Sequence, residues 1–212
     1  MRVIAIDGPA GAGKSTIAKA LADRLGLEYL DTGAMYRAVT LAAMRASVAT
    51  SDLAAVASLA ARMSLEVTDT VVLDGVDVTA AIRTPEVTVA VSPVAANSAV
   101  RAELRARQRT WAHEHGGGVI EGRDIGTVVF PDAELKLYLT ASPRVRAERR
   151  VGESGGDVEE IAAAIAARDE ADLTRVDSPL AEADSAILVD TSGLGIDDVL
   201  AVIEDLLAKQ SR

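Results

Sequence analysis

The chain opens on a strand, a glycine-rich loop and a helix whose combination leaves few folds open. Val3, Ile4 and Ile6 flank Ala5 in a short apolar run that reads as a buried strand ending at Asp7. Ile17, Leu21 and Leu25 then recur on one helical face, and Gly26 ends that helix where a left-handed residue is unstrained. Between them lie Gly8, Pro9, Ala10, Gly11, Ala12, Gly13, Lys14, Ser15 and Thr16, the spacing of a phosphate-binding loop in the context that pattern requires. Its glycines let successive backbone N–H groups turn inward, and the helix N-terminus adds the positive end of its dipole. Lys14 is expected to reach the outer phosphates, Ser15 to ligate Mg²⁺, and Thr16 to donate one further hydrogen bond. This stretch predicts binding of a nucleoside triphosphate such as ATP.

Composition narrows what the rest can be. A 212-residue chain with 49% apolar residues supports one globular domain with attachments, and the absence of cysteine removes disulfides and thiolate metal sites. No apolar run approaches membrane-spanning length, and the chain enters its first strand with no room for a signal peptide, so a cytoplasmic location is expected. The net charge of −10 argues against a nucleic-acid partner held on a basic surface. Against that acidic background stand 18 Arg and only 4 Lys. Arginine's planar fork suits phosphate, so arginine clusters are the features to follow, although any single exposed one is better read as solvated.

Leu27–Leu30 reads as a second strand, with Asp31 or Thr32 capping a helix that carries Tyr36 and Arg37 in its first turns. Residues 47 to 63 are alanine-rich and helical. Short β-type runs around Leu65, Val71 and Val76, with Asp74-Gly75 as a hairpin signal, form a small antiparallel sheet, read as an insertion over residues 64–92. Thr84-Pro85 breaks that pattern and Ser92-Pro93 ends the segment. A long helix from Asn97 carries Arg101, Arg105, Arg107 and Arg109. Val119–Glu121 is a third core strand leading into Gly122, Arg123, Asp124 and Gly126, and Glu121 or Asp7 is a candidate to orient the Mg²⁺ shell. Leu135–Leu139 and Ala186–Asp190 complete the set of strands.

Ser142-Pro143 opens a helix whose Arg146, Arg149 and Arg150 share one face. A second helix follows a Gly-rich break, and its stripe of Ile161, Ile165, Arg168, Asp172 and Arg175 turns from apolar to charged. Two arginine-lined helices on such a hinge predict a lid over residues 144–175 that closes on phosphates. The whole reads as an α/β phosphate-loop fold of three layers: a five-stranded parallel sheet, an inserted antiparallel β arm and an Arg-rich helical lid. One kinase domain thus spans residues 1–212, with its core at 1–63 and 93–212.

Several motifs together resemble bacterial cytidylate kinase, of the nucleoside monophosphate kinase family. They are Asp7–Ser15, Leu30–Arg37, Ile82–Val87, Glu121–Asp132 and Arg168–Pro179, and the resemblance runs from residue 3 to about 208. The resemblance implies ATP- and Mg²⁺-dependent conversion of CMP and dCMP to their diphosphates by a monomer with no nucleic-acid or membrane partner. It assigns the acceptor phosphate to Thr32, Arg37, Arg123 and Arg175, the cytosine to Ser92, Arg101 and Asp124 beside Tyr36, and the sugar to Arg168 and Asp172. Lys14, Arg123 and the lid arginines Arg146, Arg149, Arg150 and Arg168 would act on the transferred phosphoryl group. Two positions depart from the usual family pattern, Glu121 in place of Asp and Thr32 in place of Ser. Rival readings are a kinase for another small acceptor, such as UMP or shikimate, and a non-catalytic nucleotide switch.

Overall fold

A computed structural model describes residues 1–210. In chain order the elements are β1 (Arg2–Asp7), α1 (Lys14–Leu25), β2 (Tyr29–Asp31), α2 (Thr32–Arg45), α3 (Leu53–Arg62), β3 (Leu65–Val67), β4 (Val71–Leu73) and β5 (Val76–Asp77). They continue with α4 (Pro85–Ala96), α5 (Ser98–Glu114), β6 (Gly117–Glu121), β7 (Leu135–Thr140), α6 (Pro143–Ser154), α7 (Val158–Leu173), β8 (Ile187–Asp190) and α8 (Ile196–Gln210). The chain forms two compact units: Met1–Tyr29 with the segment from His115 onward, and Leu30–Glu114.

The first unit is built on a five-stranded sheet in the order β2-β6-β1-β7-β8, with β1 parallel to both β6 and β7, and β7 parallel to β8. Strand β1 lies at its centre, and Val3 to Asp7 are all buried, as a strand covered on both faces must be. Ile4, Ile6, Ile17, Leu21, Leu137, Val199 and Ile203 belong to one apolar cluster, which packs α1 and α8 against the strands. The parallel order sends the carboxyl ends of β1 and β6 to the same edge, where α/β sheets bind ligands.

The second unit joins helices α2 to α5 to an antiparallel sheet of order β3-β4-β5. Val67, Val71 and Leu73 from the sheet and Val87, Val91, Val94, Val100 and Leu104 from the helices are buried. Asn97 links α3 to α5, donating to the Leu53 carbonyl (2.8 Å) while its side-chain oxygen accepts from Ala99 N (3.1 Å).

Helix α4 corrects the expectation of a break at Thr84-Pro85. Thr84 is the N-cap and Pro85 the first helical residue, where a missing N–H removes no bond. Pro93 lies inside that helix rather than ending it. It withholds the N–H that would reach the Val89 carbonyl, and Val89 lies on an exposed turn.

Candidate active site

The glycine-rich loop has the backbone its sequence predicts. Gly8 has φ +145°, and a Cβ there would stand 2.0 Å from the Leu139 carbonyl oxygen, so no other residue fits between β1 and β7. Gly13 is left-handed (φ 86°) and caps α1, and Ser15 and Thr16 are exposed in the first turn of that helix. Lys14 is buried and folds back across the loop, its Nζ donating to the Pro9 carbonyl at 2.8 Å. Burial, then the Arg123 guanidinium, pushes the Lys14 ammonium down to about 7, with Arg168 acting in the same sense against Glu121 and Asp7.

Asp7 ends β1 and is buried. Its two oxygens accept from Ile125 N (2.9 Å) and Gly126 N (2.7 Å), which docks the second glycine-rich segment onto the central strand. Burial pushes its carboxyl up to about 6 despite those two N–H donors. The segment continues as a single π-helical turn, Ile125–Val129, a form that recurs at functional sites. Glu121 accepts from the Tyr29 hydroxyl and is buried at the end of β6. Asp124 is buried just beyond it.

Arginines gather around α7. Arg123 Nε donates to Asp172 Oδ2 at 2.9 Å, and Arg175 Nη1 lies 3.4 Å from the other oxygen, so one carboxylate is shared by two guanidinia. Burial pushes the Asp172 carboxyl up, but Arg123, Arg168 and Arg175 together outweigh it and hold that group below its usual range. Arg175 also donates to the Ser178 carbonyl at 2.6 Å. Arg149 places both terminal nitrogens on Thr191, at 2.9 Å to the hydroxyl and 2.7 Å to the carbonyl. Its Nη1 would stand 3.4 Å from a Cβ at Gly13, which puts this arginine beside the phosphate loop. Arg150 pairs with Glu153 at the surface (3.0 Å).

In the second unit, Asp31 caps α2 by accepting from Ala34 N (2.9 Å), and Thr32 is buried in its first turn. Arg37 is buried and donates to the Ile82 carbonyl (3.2 Å) and the Thr88 hydroxyl (2.8 Å). Arg101 is 2% exposed, donates to the Ala95 carbonyl at 3.1 Å, and lies 5.4 Å from the centre of the Tyr36 ring. An arginine so completely buried over an aromatic face is held rigidly by its surroundings. Ser92 is half-buried on α4. Asp124 therefore belongs to the first unit, and Ser92, Tyr36 and Arg101 to the second.

Comparison with known proteins decides the family. A sequence model described as cytidylate kinase matches residues 4–209. The chain belongs to the cytidylate kinase family. Cytidylate kinase of Mycobacterium leprae (strain Br4923) is 47% identical over 215 residues, covering 99% of this chain and 96% of the relative. That of Rhodococcus jostii (strain RHA1) is 50% identical over 208 residues, covering 93% and 91%. A solved shikimate kinase from Acinetobacter baumannii, in complex with shikimate, shares 15% identity at a TM-score of 0.51, over 99% of this chain and 94% of that one. This last likeness shows the fold alone.

Nucleotide and Mg²⁺, which membership of the cytidylate kinase family implies, fit the residues present. The loop offers backbone N–H groups with no Cβ in the way at Gly11 and Gly13, and the Ser15 hydroxyl is exposed beside it. Among the described residues no group of three His, Cys, Asp or Glu is arranged to hold a metal ion. Ser15 would be the residue to ligate Mg²⁺, alongside phosphate oxygens and water, which Mg²⁺ prefers. No helix among the described residues is long and apolar enough to cross a membrane.

Two residues at this site escaped the sequence reading. Asp169 accepts from Ala10 N at 3.0 Å and from Arg146, joining α7 to the phosphate loop. Thr191 touches the Ala12 carbonyl at 3.3 Å and seats Arg149. Asp7, named from sequence as a candidate for the Mg²⁺ shell, accepts from Ile125 N and Gly126 N as described above. Arg146, expected among the phosphate-facing arginines, is buried and donates to the Ala141 and Ala10 carbonyls and to Asp169. The local sequence holds one faint signal, an acid one position off the stripe that runs from Ile161 to Arg175.

Proposed function

We propose that the residues above carry out ATP-dependent phosphorylation of CMP and dCMP, yielding CDP and dCDP. The observation that carries this reading is Lys14: it is buried in the phosphate loop and held near neutrality by burial and by Arg123 and Arg168. A polyphosphate relieves that condition by stabilising the charged ammonium. Phosphoryl transfer asks for positioning and charge neutralisation rather than a protein nucleophile, and the chain contains no cysteine.

Gly8–Thr16 wrap the donor phosphates with main-chain N–H groups, and Lys14 takes the outer oxygens. Mg²⁺ held at Ser15, when bound, neutralises charge on those phosphates. Thr32, Arg37, Arg123 and Arg175 hold the acceptor phosphate and lower its repulsion toward the donor. Ser92, Arg101 and Asp124 read the base beside Tyr36, and Arg168 and Asp172 hold the sugar hydroxyls. Arg149, Arg150 and Arg168 meet the charge that spreads onto the transferred group. Residues 144–175 act as the lid and 64–92 as the acceptor-binding arm, and lid closure keeps water from competing as acceptor. The protein works as a cytoplasmic monomer on small molecules, without a nucleic-acid or membrane partner.

The test is ADP formation from ATP and Mg²⁺ with CMP, dCMP, UMP, AMP, GMP and shikimate offered singly. Selective turnover with CMP and dCMP is expected. Preference for another acceptor would discard the base-reading assignment and keep the kinase scaffold. No turnover with any of them would leave the switch reading in its place.

A further inference from the structure

Ala10 is gripped on both sides of its own backbone by a buried ion pair. Its N–H donates to Asp169 Oδ1 (3.0 Å), and its carbonyl accepts from Arg146 Nη1 (3.0 Å), while Arg146 and Asp169 bond to each other. Both side chains are about nine-tenths buried, at 10% and 11% exposure. Arg146 is fixed in turn by the Ala141 carbonyl at 3.2 Å. Gly11 is equally confined, since a Cβ there would meet the Arg146 carbonyl oxygen at 3.0 Å and its Cβ at 3.1 Å. The phosphate loop thus rests on α6 and α7 at one defined residue. Asp172, three positions along α7, accepts from Arg123 and Arg175. Residues three apart share a helix face, so one face of α7 meets both the loop and the arginine cluster.

We propose that Arg146 and Asp169 are positioning residues: their ion pair clamps the phosphate loop at Ala10 and so sets its N–H groups for the donor phosphates, in register with Asp172, which the same helix presents to Arg123 and Arg175. The inference rests on the assignment of donor phosphates to the loop made under the proposed function. It names neither residue as touching substrate. A clamp made of charge and hydrogen bonds holds a backbone in place more specifically than apolar packing does, because the donor and the acceptor of the clamped residue, in the peptide groups on either side of it, are both engaged.

The experiment measures the affinity of a non-hydrolysable ATP analogue and, separately, of CMP alone, by calorimetry on Asp169→Asn, Arg146→Ala, Arg146→Lys and the double variant Arg146→Ala/Asp169→Asn. Asp169→Asn and Arg146→Ala are expected to weaken the ATP analogue about tenfold through lost orientation while CMP changes less than about twofold. The double variant should bind no worse than the weaker single one, the signature of residues acting as a unit, and Arg146→Lys should recover most of the loss. Wild-type affinity for the analogue in variants that remain folded overturns the clamp. Equal weakening of analogue and CMP also overturns it, since that is general loosening. Should Arg146→Ala fail to fold, Asp169→Asn decides the matter, because its amide oxygen can still accept from Ala10 N while its NH2 cannot accept from Arg146, so the ion pair alone is broken. Analogue binding is read without an acceptor, so failure of wild-type turnover with CMP would sink the proposed function and not this one.

Discussion

Helix α7 presents two buried carboxylates to two arginine sites, and the two sites are built differently. Asp169 meets one guanidinium and one peptide N–H, and its partner Arg146 is committed to the Ala10 and Ala141 carbonyls. Asp172 is shared between Arg123 and Arg175, with Arg168 close enough to help hold its carboxyl charged. The first site is closed on the protein's own backbone. At the second, Arg123 is more open, at 16% side-chain exposure, and its remaining contact is a 3.3 Å bond to its neighbour's carbonyl. Two pairs that look alike in sequence thus sit in different settings: one is closed on the loop backbone, and the other leaves a guanidinium partly open.

Removing Arg146 separates the two most sharply. Arg146→Ala leaves Asp169 buried against an empty site, which is expected to cost about 3–5 kcal/mol of stability. Arg123→Ala is expected to cost clearly less, because Arg175 still faces Asp172. Denaturant titrations of both variants measure the difference, and equal losses would erase the distinction. In activity the order reverses in kind: Arg123→Ala should lower kcat at least about tenfold through lost orientation of the acceptor. Near-normal kcat with only a weaker KM would contradict that role.

Protons give a third handle on the loop. A polyphosphate raises the pKa of Lys14 from about 7, so nucleotide binding takes up protons near neutrality. Affinity for ATP should fall as pH rises above 7, by up to about tenfold per unit. Calorimetry in buffers of different ionisation enthalpy measures the uptake, and a buffer-independent heat would contradict it. In the ligand-free protein the two perturbed groups act on opposite flanks. Asp7 has its pKa raised from 3.8 to about 6, so its contribution to stability is complete below 3.8 and lost as pH rises through 6. Lys14 has its pKa lowered from 10.5 to about 7, so the unfolded chain holds that proton more tightly and the contribution improves from 7 toward 10.5. From these two groups stability is lowest between about 6 and 7, and saturating ATP should shallow that dip.

The smallest effect concerns the two Xaa-Pro helix starts. Thr84 and Ser142 each accept weakly from the N–H three residues on, at 3.5 and 3.4 Å. Replacing either by Ala should cost about 1 kcal/mol or less. A much larger loss at Thr84 would show that this cap also sets the Arg37 contact with Thr88.

These caps also show what a sequence can and cannot reveal. The central strands were legible because residues buried on both faces form continuous apolar runs, and the phosphate loop because its glycines are demanded by geometry. Ser142-Pro143 read correctly as a helix start. Thr84-Pro85, the same chemistry, read as a break because it follows a β-type segment and precedes another proline at 93. The arginine cluster was half legible: helical spacing put Arg168 and Asp172 on one stripe, and the structure brings Asp172 to Arg123. Asp169 was not legible, because its partner Ala10 lies 159 residues away and a backbone group leaves no mark in sequence. Arg146 misled for the same reason, since a basic helical face reads alike whether it meets phosphate or carbonyls.

The most direct measurement follows ATP consumption and CDP formation together by ³¹P NMR, with and without CMP. Equal amounts of ADP and CDP with CMP present, and negligible ATP loss without it, are what a water-excluding transfer site predicts. ATP loss that proceeds equally without CMP, with no CDP formed, would contradict it.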